Sequence, residues 1–266
     1  MLLERQVDYT KRNRDGWSPV MYACYNGHTE TVKILLDKGA NYDTCNNDGV
    51  SPVMMACYKG HTNIVTLLLD KGASYDTFDK DGWSPVMFAF DGGHTEIIKL
   101  LLDKGVSYDT FDKNGWSPLM LACTKGHAEI VNMLLDLGVN YDICNNALQS
   151  PVMCACINGH THIVKILIDK GACYDTCDED GWSPLMSACN VGHSEIVGML
   201  LERGVDYNRC DNYLRSPVML ACRNGHREIV KWLLDKGARY DTVDKDGWSP
   251  VMSTCSNGHT EIVNML

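Results

Sequence analysis

The chain has 266 residues, 45% of them hydrophobic and 22% charged, a composition that describes a folded protein rather than a disordered one. Its 24 basic residues face 34 acidic ones for a formal net charge of -10, with no run of lysine or arginine longer than two, so a nucleic-acid partner is not expected. No apolar run approaches the roughly 18 residues that cross a bilayer, so membrane insertion is not expected either.

In chain order, residues 1–14 carry four basic residues without the continuous apolar core of a signal peptide. Met1 to Tyr9 aligns with Ile34 to Tyr42, so the chain is expected to begin within a second helix. Ser18 then suits the cap of a first helix, and Pro19 fits its opening position, where a missing amide hydrogen costs nothing. Gly27 ends this short helix in a tight turn. A second helix is predicted over Thr29 to Lys38, with Val32, Leu35 and Leu36 on its buried face, Glu30 in its first turn and Lys38 in its last. Gly39 closes that helix. The stretch from Ala40 to Gly49 has the alternation and the Asp-Gly ending of a small β-hairpin.

The same order then recurs. The eight prolines, at 19, 52, 85, 118, 151, 184, 217 and 250, are each 33 residues apart, the signature of a stacked array. The predicted units begin near 15, 48, 81, 114, 147, 180, 213 and 246, after a partial leading unit over 1–14, and together form one array over 1–266. The last unit stops at Leu266, the equivalent of Leu35, so Glu261 to Leu266 leaves an apolar face uncovered. This points to an excised piece of a longer array, or to end-to-end self-association of the fragment.

Thirteen cysteines suggest a disulfide scaffold at first, but seven of them, at 24, 57, 123, 156, 189, 222 and 255, share one slot of the first helix, where a reduced thiol acts as a small hydrophobe. An odd number without a secretion signal favours the cytoplasm, or the nucleus.

With its Ser-Pro start, Ala-Cys pair, Gly-His turn, Ile-Val-x-Leu-Leu second helix and Gly-Ala-x-Tyr-Asp tail in fixed order, the chain resembles the ankyrin repeat family along essentially its whole length. Two slots depart from that family: methionine, as at Met21 and Met54, stands where histidine is common in the first helix, and tyrosine, as at Tyr42, stands where valine is common near the hairpin. The resemblance implies an all-α repeat solenoid of helix-turn-helix units with projecting β-hairpin loops, and a noncatalytic scaffold that binds a protein or extended peptide on its concave face.

A histidine follows a glycine eight times, at 28, 61, 94, 127, 160, 193, 226 and 259. Side chains one layer apart stand about 8–10 Å apart, whereas a metal holds its ligands at about 2.0–2.3 Å, so the ladder chelates nothing. The resemblance assigns these rings to backbone bonding near the interhelix turn, and His162, in the slot of Glu30, reads as an exposed local substitution. The cysteines form no second pair at zinc-finger spacing, and the once-per-unit aspartates, such as Asp43 and Asp142, fit turn hydrogen bonding better than acid catalysis. No cofactor, metal or enzymatic activity is expected.

Slots that vary are the candidates for recognition. The slot before the serine holds Trp17, Trp83, Trp116, Trp182 and Arg215; the outer side of the first helix contributes Tyr22, Tyr25, Tyr58, Phe88 and Arg223; the hairpin contributes Phe78 and Phe111. Aromatic side chains at such slots anchor protein interfaces or pack on their own neighbours. Arg215 and Arg223 suit an acidic segment or a solvated face. The second functional expectation is an array that targets or spaces an activity elsewhere in a larger protein, such as a ligase adaptor, kinase or channel.

Overall fold

The structure, a computed structural model, describes residues 8–266. The expected helix at the start of the chain falls largely on residues 1–7 and lies outside them. The described chain alternates first and second helices. The first helices are α1 (Pro19–Tyr25), α3 (Pro52–Lys59), α5 (Pro85–Gly92), α7 (Pro118–Lys125), α9 (Pro151–Ile157), α11 (Pro184–Val191), α13 (Pro217–Asn224) and α15 (Pro250–Ser256). The second are α2 (Thr29–Asp37), α4 (Thr62–Asp70), α6 (Thr95–Asp103), α8 (Ala128–Asp136), α10 (Thr161–Asp169), α12 (Ser194–Glu202), α14 (Arg227–Asp235) and α16 (Thr260–Val263).

The chain divides into two compact units, residues 1–122 and 123–266. Within the first, α1 packs on α3 and α3 on α5, while α2, α4 and α6 form a second row. Within the second unit, α9, α11, α13 and α15 make one row and α8, α10, α12, α14 and α16 the other. Helices of seven to nine residues are too short to persist alone in water, so each depends on the rows beside it.

Local chemistry sets the helix ends. Ser18 Oγ accepts from Met21 N at 3.4 Å and Ser150 Oγ from Met153 N at 3.2 Å, with proline at the first position of each helix. Gly27 and Gly39 take φ of +76° and +84°, which glycine adopts without a Cβ clash. Val32 and Leu35 are buried; Leu36, expected beside them, is half-buried, and Lys38 caps α2 rather than extending it. The methionines of the first-helix slot fill the core: Met21, Met54, Met87, Met120, Met153 and Met186 are fully buried, and Met54 Sδ also accepts from Ser51 N at 3.3 Å.

The expected β-hairpins are not formed: the described residues contain no strand. Each projecting finger is instead wound around an Asn or Asp side chain. Asn46 Oδ1 accepts from the amides of Asp48 and Val50, both at 2.9 Å, while Asn46 N donates to Val50 O and Gly49 N to Asn46 O. Two of the amides a ladder would use are therefore turned inward. Among the described residues adjacent fingers are joined by single backbone bonds, such as Lys80 N to Asp48 O at 2.8 Å, and one bond does not make a ladder. The fold is a helix-turn-helix repeat with looped fingers.

Candidate recognition face

The first helices and the fingers carry the variable slots. In the first unit, Trp17 is half-buried with its ring centroid 4.9 Å from Tyr22 and 5.7 Å from Tyr25. Lys59 Nζ stands 4.5 Å above the Tyr25 ring and 4.9 Å above that of Tyr58, and hydrogen bonding to Tyr25 raises its pKa. Phe88 joins Tyr58, at 6.2 Å, to Trp83, at 5.3 Å. The Trp83 indole donates to Asp112 Oδ2 at 3.1 Å, and the other oxygen of this buried carboxylate accepts the amides of Asn114 and Trp116 at 2.8 and 2.7 Å. Trp17 and Trp83 are thus fixed by their surroundings, and Trp116 is half-buried. Tyr22, Tyr58, Phe78 and Phe111 remain 47%, 37%, 57% and 40% exposed.

In the second unit, Arg215 spans the rings of Trp182, at 5.3 Å, and Tyr213, at 4.9 Å. Its Nε and Nη2 both lie 2.6 Å from Oδ2 of Asp211, a buried carboxylate. The guanidinium is therefore engaged within the fold, and Arg223 is the exposed cation of this region named by the sequence. The slot read as the outer side of the first helix is mostly covered: Met55, Leu121, Cys154, Ser187 and Leu220 are buried, whereas Tyr22 is exposed and Phe88 and Ser253 are half-buried. First helices pack closely enough in their rows to bury a slot that a lone helix would leave wet.

The histidines hold layers together. His61 Nε2 meets Tyr25 O at 3.1 Å, His94 meets Tyr58 O at 2.9 Å and His160 meets Thr124 O at 3.0 Å; His193, His226 and His259 repeat the contact at 3.1–3.2 Å. Each ring is committed to the carbonyl of the preceding layer. Among the described residues no group of three or more His, Cys, Asp or Glu side chains is placed to hold a metal. Asp43 and Asp142 also reach one layer on, accepting from Ser74 N at 3.1 Å and Cys173 N at 2.8 Å. All thirteen cysteines are free thiols. Burial pushes the Cys24 thiol up to about 12 and that of Cys222 up to about 11, and moves those of Cys57, Cys156 and Cys189 upward as well, which keeps them neutral and inert. His162 is exposed.

A family model described as ankyrin repeats (3 copies) matches residues 1–79, 75–145, 137–211 and 208–266, which together cover the chain. The chain belongs to the ankyrin repeat family. Ankyrin arrays are in general protein-interaction scaffolds, and in this ankyrin protein the laddered side chains recur one per layer and tie layers together. No curated protein matches the chain. No helix among the described residues is long and apolar enough to cross a membrane.

The finger side chains that organise this ankyrin array were missed in sequence reasoning. Asn13, Asn46, Asp79, Asp112, Asn145, Asp178, Asp211 and Asp244 each accept the amide of the residue four positions on, the slot before the capping serine. The signal was present as an unbroken Asn-or-Asp column at that offset, hidden because the column mixes the two residue types.

Proposed function

We propose that the protein is an interaction scaffold that takes a protein or extended peptide on the face formed by its fingers and first helices. The observation that carries this reading is the exposed aromatic set of the first unit, Tyr22, Tyr58, Phe78 and Phe111, backed by the half-buried Trp17 and Trp83. Large rings left wet lose free energy that a partner restores on covering them, and rings held by neighbours lose little entropy when bound. Tyr25, Phe88 and Trp116 support that surface, and Trp182, Arg215 and Arg223 continue the same slots in the second unit. The free cysteines support a reducing compartment, the cytoplasm or the nucleus.

The test is affinity capture of partners from cells by the unaltered chain and by Phe78→Ala. Phe78 is 57% exposed, so its loss leaves stability within about 0.5 kcal/mol. Partner affinity is expected to fall about tenfold or more, as for an aromatic hot spot. Unchanged capture by Phe78→Ala combined with Tyr22→Ala contradicts the reading.

A further inference from the structure

The second unit carries two recesses of nearly equal size on the same finger and first-helix slots, of about 370 and 350 Å³. The first lies against Trp182, between Asp178 and Asp180 on its finger and Ser187 and Asn190 on α11. The second repeats every one of these slots 66 residues on, with Trp248, Asp244, Asp246, Ser253 and Ser256. The two recesses are copies in register, two layers apart.

Their chemistry is anionic. Asp178 Oδ1 accepts the amides of Asp180 and Trp182 at 3.0 and 2.8 Å, and Asp244 Oδ1 those of Asp246 and Trp248 at 3.0 and 2.9 Å. These bonds hold each finger carboxylate in place and leave its Oδ2 without a protein donor among the described residues. Asp180 and Asp246 are exposed, and no ion pair among the described residues engages either one. Arg215 borders both recesses, but Asp211 pairs with it at 2.6 Å, so it adds no net positive charge. Arg223 borders only the second, which makes the first the more negative of the two. Each recess sets one held and one exposed carboxylate beside an indole, which in the first already carries the Arg215 guanidinium at 5.3 Å; with the hydroxyl and amide groups that complete it, such a recess suits a guanidinium or ammonium group.

We propose that the two recesses select an extended partner segment carrying two basic side chains, one for each. The proposal rests on the reading of this face as the binding face and narrows it to a basic ligand in the second unit; the net charge of -10 favours the same class of partner. Two layers span about 16–20 Å, which about five or six residues of extended chain cover. The two basic residues should therefore stand five or six positions apart.

The test is fluorescence anisotropy of the full chain at low ionic strength with labelled glycine-serine peptides. One carries two arginines six positions apart, a second two arginines three positions apart, and a third two glutamates six positions apart. The six-apart arginine peptide is expected to bind at least about fivefold more tightly than the three-apart one, the glutamate peptide not to bind, and added salt to weaken the complex. Asp180→Ala is expected to weaken it about fivefold and Asp246→Ala by less, since Arg223 already offsets charge there. Alanine suits this finger position, because Ala147 occupies the same slot, and far-ultraviolet circular dichroism checks that both variants fold. Failure of the six-apart arginine peptide to bind, equal binding of the glutamate peptide, or an affinity unchanged by Asp180→Ala overturns the proposal. If these peptides fail while capture still depends on Phe78, only the basic preference falls; if capture is independent of Phe78 and Tyr22, the reading of the face falls with it.

Discussion

His61 serves two layers at once: its Nε2 bonds to Tyr25 O at 3.1 Å, and its ring fills the space beside Gly27, where an added Cβ would stand 2.5 Å from Cε1. The Gly-His pair is thus one device read across a layer boundary, with the glycine making room for the histidine of the next layer. Gly39 has the same left-handed backbone, φ +84°, but nothing within 4 Å of its missing Cβ. Gly39→Ala should therefore cost about 1–2 kcal/mol for backbone strain alone, and Gly27→Ala clearly more, by chemical denaturation. Equal losses would deny the ring its packing role. The buried thiols give a second prediction at this scale. Cys24 is held near 12 against an ordinary thiol value of 9.0, so its stabilising contribution is complete below pH 9 and falls as pH rises from there toward 12, because the unfolded chain releases the proton first. With Cys57, Cys156, Cys189 and Cys222 shifted the same way, stability should drop steeply above pH 9, and replacing Cys24 and Cys57 with alanine should flatten that drop at some cost in packing. The serine caps, the turn glycines and the inward cysteines were legible in the sequence, since each answers to chemistry within a few residues. The burial of Met55, Leu121 and Cys154 was not, because it depends on how closely the next first helix approaches.

At the scale of elements, the helices followed their sequence signals and the fingers did not. A dipeptide such as Asp48-Gly49 between alternating residues reads as a hairpin turn, yet the side chain two positions before the aspartate takes the amides that a ladder needs. The competition between a side-chain acceptor and a backbone partner is decided by geometry that a residue pattern does not contain. Two fingers test how far the loop dictates its own conformation: Leu148 and Leu214 take φ of +60° and +61° at the slot where other fingers have glycine. Both side chains are about half exposed, at 52% and 50%, so they gain little packing for that strain. Leu214→Gly should raise stability by up to about 1 kcal/mol, the relief of strain exceeding the extra freedom glycine gives the unfolded chain. A loss of stability in thermal unfolding would show that the leucine side chain holds the finger.

Across the whole molecule, a 33-residue period places like side chains a layer apart, where they tie neighbours together or line a surface but do not gather around one reacting atom. The family was legible in the ordered motifs that each period repeats; which aromatic rings stay exposed and where the acidic recesses lie were not, because both follow from contacts between layers. The central claim, that fingers and first helices form the binding face, is tested most directly by a photo-crosslinking scan in cells that takes exposed lysines of the second helices as the contrasting surface. A crosslinking residue is placed singly at Tyr22, Phe78, Phe111 and Trp248 on the first surface, and at Lys33, Lys99, Lys165 and Lys231 on the second. Partner adducts confined to the first set are the predicted result, and adducts confined to the second set, or equal in both, would contradict the account.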